Sequence, residues 1–287
     1  MKERAQIAKH DKLIYDVGMH RGEDTEFYLT KGFRVIGFEA DPKLAEHCRG
    51  RLAAEIESGR LVVVEGAIVP DSGAGSVTFY RNIDSSVWGT TDPQLAERNR
   101  RLAARSDQIE VAPVDFAECL RRFGMPHYMK IDIEGQDLVC LRRLADFDAR
   151  PAYVSIESHK LTMAGLRAEI ELLEQLGYDR FQAVQQATVP RHRPPSPPGE
   201  GAFVEHRFAM GASGLFGREL PGPWRTADQI LRRYRTIMTW YRILGDESLL
   251  RKCAAGRRLL ALVDRIAGRP VPGWYDTHAR HASVAGQ

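Results

Sequence analysis

Four short stretches hold side chains able to do chemistry. The first reads Asp16-Val-Gly18-Met-His-Arg-Gly22 and joins an apolar run to a helical pattern. A strand, a glycine loop and a helix start in that order let a ligand approach backbone amides. The spacing is D-x-G-x-x-x-G, not the G-x-G-x-x-G of dinucleotide enzymes, so no dedicated pyrophosphate cradle is expected. Asp16 is placed to accept from a cation or a hydroxyl, and a plain turn with an N-capping Asp would read the same way. The second stretch, Val35-Ile-Gly-Phe-Glu39-Ala40-Asp41-Pro42, sets a carboxylate 23 residues after Asp16 at the end of the next apolar run. An acid there can take both hydroxyls of a ribose, whereas a surface Glu before a Pro-initiated helix is the ordinary alternative.

The third stretch is Lys130-Ile-Asp132-Ile-Glu134-Gly135 and the fourth Ile156-Glu157-Ser158-His159-Lys160. Alternation puts Lys130, Asp132 and Glu134 on one face if the strand persists. The carboxyl ends of strands form the ligand crevice of an open α/β sheet, so these acids could hold an ammonium group, a divalent metal or a reacting hydroxyl. His159 is the best single general base, because imidazole titrates near neutrality. Asp132, Glu134, Glu157 and His159 could jointly hold Mg²⁺, but no ligand spacing is diagnostic and no metal site is predicted.

These residues need strands and helices to place them. Apolar β-branched runs at Lys12–Val17, Phe33–Phe38, Leu61–Glu65, His127–Ile131, Ala152–Ile156 and near Phe181–Gln185 alternate with helical patterns. The helices fall near Asp24–Lys31, Pro42–Ser58, Phe116–Phe123, Asp137–Leu144 and Thr162–Leu176. That rhythm predicts an α/β fold with a doubly wound, mostly parallel, Rossmann-like sheet. It breaks between Ala67 and Pro113, where the Asp71–Gly75 turn cluster predicts a β-hairpin, followed by a polar helix about Pro93–Arg105. Five prolines in the nine residues from Pro190 to Pro198 predict a mobile loop. Phe203–Met210 reads as a closing strand. Thr226 to Gln229 is a capping box opening a helix to about Leu244, and a second helix is predicted over Glu247–Ala267.

Residues 218–287 hold 13 Arg/Lys against 6 Asp/Glu, a balance of +7 that leaves −4 for residues 1–217. The predicted division is therefore a catalytic domain over residues 1–215 and a basic helical C-terminal extension over 216–287. Its basic helices could dock an acidic carrier protein or form a homodimer interface. Four cysteines without a CxxC pair argue against a zinc knuckle or a disulfide framework. The polar start lacks a secretory core and no run is long enough to span a membrane, so a cytoplasmic protein is expected. Neither an aromatic-rich basic groove nor an NPPY-type motif appears, so no nucleic-acid partner is expected.

Taken in order, LIYDVGMHRG, VIGFEADP, LVVVEGAIVPDSG and YMKIDIEGQDLVCLRRL resemble the successive motifs of the FkbM family of S-adenosylmethionine-dependent methyltransferases, over roughly residues 12–160. SGLFGRELPGPW at 213–224 is similar to a tail of some members. The resemblance implies a class I methyltransferase sheet that binds S-adenosyl-L-methionine. It implies Asp16, Gly18, Met19 and Gly22 in the cofactor loop, Glu39 on the ribose, adenine near Gly66 and Ala67, and Asp132 near the methionine end, with Ala40 a further cofactor-binding residue. Met19, His20 and Arg21 stand where the family usually has small or amide residues, and they are expected to point outward.

Methyl transfer is an in-line displacement, in which the protein supplies alignment and proton removal. His159, Asp132 and Glu157 are the catalytic candidates. By resemblance the acceptor is a hydroxyl on a small molecule, a sugar or glycan, or a secondary metabolite. The hairpin, the proline loop and the tail Pro272–His278 are expected to close over the crevice, with Trp274 and Tyr275 free to stack on a ring. Two other classes compete: a nicotinamide-dependent oxidoreductase, and a non-catalytic binding or interaction protein on the same fold.

Overall fold

The computed structural model describes residues 4–70, 73, 75–101, 104–158, 162–244, 265 and 274–284. Its first half runs β1 (Lys9–Val17), α1 (Glu23–Thr30), β2 (Arg34–Glu39), α2 (Pro42–Arg51), α3 (Ala53–Glu57), β3 (Leu61–Glu65) and β4 (Ala67–Ile68). Then come β5 (Val77–Asn82), α4 (Pro93–Arg101), β6 (Ser106–Val111), β7 (Pro113–Val114), α5 (Phe116–Phe123) and β8 (Met125–Ile131). The remainder is α6 (Asp137–Leu144), β9 (Tyr153–Glu157), α7 (Met163–Gln175), β10 (Tyr178–Gln185), α8 (Ala227–Leu244) and β11 (Tyr275–His281).

The main sheet has seven strands in the order β10-β11-β9-β8-β1-β2-β3. Parallel pairing runs from β9 through β8, β1 and β2 to β3, while β11 pairs antiparallel with β9 and with β10. Strands β1 and β2 are buried along their apolar carboxyl halves, as befits a sheet covered on both faces. One face carries Met129, Ile131, Val154 and Ile156 against Leu141 of α6, Ile170 of α7 and Tyr234 of α8. The other packs Tyr128 and Tyr153 against Phe27 and Tyr28 of α1 and against Val189, Leu215 and Phe216.

The sequence-predicted rhythm and the doubly wound sheet are present, with some differences. The helix predicted over Pro42–Ser58 divides at Leu52, which leaves helical geometry at φ −114° and ψ 32° just after Gly50; glycine weakens a helix there. The antiparallel pair of the insertion is β5 with β6, and α4 fills the excursion between them, while β4 pairs in parallel with β7; most of the Asp71–Gly75 cluster lies outside the described residues. Phe203–Met210 forms no strand.

The sheet is completed by β11, inserted between β9 and β10, so residues 275–281 share a layer with those predicted for the catalytic domain. Tyr275 is buried in the core and does not face the crevice. The proline-rich segment is packed, and at the amino ends of the strands: His127 Nε2 lies 2.9 Å from Glu200 Oε2, and Ala202 N–H donates to Lys31 O. Nearby, Lys31 Nζ meets Glu219 Oε1 at 2.9 Å in full burial. No described residue of either segment lines the crevice. Helix α8 buries Ile230, Leu231, Tyr234 and Ile237 and exposes Arg232, Arg233 and Arg235, the basic face expected of it. The helix predicted over Glu247–Ala267 lies outside the described residues apart from Arg265. No described helix is long and apolar enough to cross a membrane.

Candidate active site

The carboxyl ends of β1, β2, β3 and β8 open into a crevice of about 860 Å³ including its solvent-open mouth. The loop after β1 forms one wall. Gly18 takes φ 84°, and a Cβ there would lie 1.9 Å from Asp132 O, so the ends of β1 and β8 approach more closely than any side chain allows. Gly22, at φ 81°, opens α1. The N–H groups of Gly18 and Met19 both donate to Phe38 O, His20 N–H to Glu39 Oε2, Arg21 N–H to Glu23 Oε2 and Gly22 N–H to Met19 O. All five amides are thus spent inside the protein and make no phosphate nest.

Met19 turns inward, against the expectation that it would point out. It is buried, and Gly37 of β2 leaves the room: a Cβ on Gly37 would sit 2.6 Å from Met19 Sδ. Arg21 is exposed, while the His20 ring is half-buried and reaches Ser86 Oγ at 2.8 Å.

Glu39 ends β2 with a buried carboxylate. Its Oε2 accepts from His20 N–H at 2.8 Å and its Oε1 from Asp41 N–H at 2.9 Å. Each oxygen keeps a lone pair, a pattern suited to the two hydroxyls of a vicinal diol. Burial pushes this carboxyl up to about 7 even though the two backbone N–H groups pull it down. Beyond Glu39 the crevice becomes apolar, lined by Ala40, Leu44, Ala67, Ile68 and Phe79. Gly66 lines it at φ 133°, where a Cβ would lie 2.5 Å from Ala112 O.

At the other end lie the acids. Strand β8 stops at Ile131, so the predicted alternation does not continue, and a turn with Glu134 at φ 46° and Gly135 at φ 99° follows. Asp137 tightens this turn by accepting from Ile133 and Gly135 N–H, both at 3.1 Å. Asp132 and Glu134 line the crevice, and one carboxylate oxygen from each of Asp132, Glu134 and Glu157 falls within 4.8 Å of the other two. His159 lies outside the described residues.

Asp16 does not line the crevice. Wholly buried, it accepts from Thr25 Oγ1 at 2.6 Å and lies 3.1 Å from Lys130 Nζ. Lys130 also donates to Gly18 O at 2.6 Å and lies 3.9 Å from Asp24. Burial disfavours its charge, yet Asp16, Asp24 and Asp132 outweigh that and hold the ammonium above the usual lysine range. Asp24 accepts from Ser213 N–H through both oxygens at 3.0 Å; burial first, and Asp16 also, push it up to about 6 against the pull of Lys130. This knot fixes the glycine loop to β8 and to the segment whose Gly211 lines the crevice.

Sequence reasoning missed the crevice residues of the insertion, Phe79, Ser86, Val87, Gly89 and Thr91. No periodicity marks them, because they face the crevice only through the fold of the insertion.

The sequence model of the methyltransferase FkbM domain matches residues 16–180. No curated protein matches the chain. Among solved structures, a methyltransferase FkbM from Methylobacillus flagellatus KT is 20% identical, over 58% of this chain and 38% of that one, with a TM-score of 0.34. A SAM-dependent methyltransferase from Archaeoglobus fulgidus is 12% identical over 94% of this chain and 86% of its own, TM-score 0.38. Aeropyrum pernix fibrillarin, solved with natively bound S-adenosyl-L-methionine, is 15% identical over 62% and 61%, TM-score 0.31. The chain thus spans under two-fifths of the first of these proteins. With the domain match covering more than half of its 287 residues, the chain belongs to the FkbM family of S-adenosylmethionine-dependent methyltransferases.

Proposed function

We propose that the protein binds S-adenosylmethionine in this crevice and methylates a hydroxyl on a sugar, glycan or secondary metabolite. The Glu39 carboxylate carries the reading: it ends the strand beside the glycine loop, faces the crevice, and is held by two N–H groups with a lone pair free on each oxygen. The residues present fit the cofactor along its length. Glu39 takes the ribose hydroxyls, Ala40, Gly66, Ala67 and Phe79 enclose the adenine, and Gly18, Met19 and Asp132 border the methionine portion. When bound, the cofactor supplies the electrophilic methyl group.

The chain's own part is placement and proton transfer. Asp132 and Glu157 accept from hydroxyls of the acceptor that flank the reacting one and so fix its position, and His159 takes the single proton of the reacting hydroxyl. Asp16 supports the site from behind, through Lys130 and Thr25. The spent amides of residues 18–22 offer no cradle for a pyrophosphate, which disfavours a nicotinamide cofactor.

Isothermal titration with S-adenosylmethionine and, in parallel, with NAD tests this on wild type and Glu39→Ala. Micromolar binding of S-adenosylmethionine, lost in a Glu39→Ala variant with an unchanged circular dichroism spectrum, is the expected result, with no heat from NAD. A folded wild type that binds no S-adenosylmethionine overturns the reading.

A further inference from the structure

His20 and Glu134 are the two described non-glycine residues with positive φ, 52° and 46°, and both line the crevice. Left-handed backbone is unfavourable for a side chain and persists where surrounding contacts over-determine it. Each of these residues ties the sheet to the insertion. Thr90 Oγ1 donates to Glu134 O at 2.7 Å, and His20 Nε2 shares a 2.8 Å hydrogen bond with Ser86 Oγ across 66 positions of sequence.

His20 is held at every polar atom. Its N–H donates to Glu39, its carbonyl accepts from Cys48 Sγ at 3.2 Å, and its Nδ1 lies 3.5 Å from Glu23 Oε2. Of these contacts, the bond to Ser86 alone reaches the insertion. Ser86 opens a 3₁₀ turn that continues through Val87 and Trp88. That turn is rigid on its own side: Asn82 Oδ1 accepts from Asp84 and Ser85 N–H, and Asn99 Nδ2 donates to Trp88 O. Val87 lines the crevice and is 49% exposed, and Trp88 is 37% exposed, an apolar edge at the mouth.

Resting on the cofactor reading above, we propose that His20 is a positioning residue that couples Glu39, the carboxylate that takes the ribose, to the Ser86–Trp88 turn that roofs the crevice. One residue gives its backbone N–H to Glu39 and its ring to Ser86, so seating a ribose on Glu39 and seating the Ser86–Trp88 turn over the crevice favour one another. The turn then forms the wall against which the acceptor lies. His20 acts through Glu39 and Ser86 and does not touch the reacting atoms.

The test is S-adenosylhomocysteine release from the full chain by stopped flow, followed by tryptophan emission, with Trp88→Phe identifying the roof's share of the signal. His20→Asn keeps tolerance of left-handed backbone and the N–H to Glu39 but is too short to reach Ser86, whereas His20→Gln carries an amide to about the place of Nε2. Loss of one hydrogen bond predicts release about fivefold to tenfold faster in His20→Asn and in Ser86→Ala. The double variant is expected to be no faster than either, and His20→Gln to be slowed back toward wild type. Wild-type release in both single variants, or a double effect equal to the product of the two, overturns the coupling. Absence of binding by folded wild type overturns the cofactor reading instead, and is distinguishable because it precedes any comparison among variants.

Discussion

On the proposed reading Glu39 accepts from both hydroxyls of a ribose as the carboxylate, yet burial raises its pKa to about 7 against an ordinary 4.5. The charge that receives the hydroxyls is therefore largely present at pH 8 and largely absent at pH 6. S-adenosylhomocysteine affinity measured by titration calorimetry is expected to strengthen across that interval, and Glu39→Gln to bind weakly with a flat profile. Stability runs the other way. A carboxyl whose folded pKa is raised favours the folded state below its ordinary value and loses that contribution as pH rises through about 7. Glu39→Gln should accordingly gain in melting temperature relative to wild type at pH 8 and not at pH 4. Lys130 has the opposite character, a buried cation between Asp16 and Asp24. Removing one member of a buried charged group costs about 3–5 kcal/mol, so Lys130→Met should lose stability of that order in urea at pH 8. The loss should shrink at pH 5, where Asp24, already raised to about 6, takes up a proton.

Strand β11 and its neighbours set the acidic end of the crevice. Ser158, Tyr234 and Thr277 form a closed triangle of hydroxyls at 2.6, 2.7 and 2.8 Å, joining the residue after Glu157 to α8 and β11. Tyr234→Phe leaves Ser158 and Thr277 bonded to each other and should cost about 1 kcal/mol by chemical denaturation. Deleting residues 275–284 leaves facing edges of β9 and β10 unpaired, and near-ultraviolet circular dichroism should show lost tertiary packing. Most elements could be read from sequence: β3, α5 and α6 begin and end where periodicity and caps place them. β11 could not. Its sequence YDTHARH puts Asp276, His278 and Arg280 on a side that reads as solvent-facing, while the structure buries His278 between β9 and β10. The excursion between β5 and β6 was illegible for a related reason. Its partner strands lie 23 residues apart across α4, and the nearer turn signal at Asp71–Gly75 pointed elsewhere.

At the scale of the molecule, the crevice opens at the carboxyl ends of the sheet, and the amino ends are closed by the proline-rich segment, the buried Lys31–Glu219 pair and the His127–Glu200 pair. A ligand held by the loop, by Glu39 and by the insertion at once stabilises only the state in which all three are assembled. At a hundredfold excess over its dissociation constant, S-adenosylhomocysteine should add about 2.7 kcal/mol. It should raise the melting temperature and slow hydrogen exchange most in residues 16–22, 86–91 and 132–135. The sequence by itself determined the alternation of strands and helices, the glycine loop, the carboxylate at the end of the second strand and the family, because local periodicity and short motifs fix backbone type and strand ends. Only the tertiary structure decided that Asp16 is spent on Lys130 and Thr25, that Met19 turns into the space left by Gly37, that β11 enters the sheet, and that His20 reaches Ser86. Each is a contact between residues far apart in sequence, and which lone pair or empty volume a side chain meets is set by packing, on which local pattern is silent.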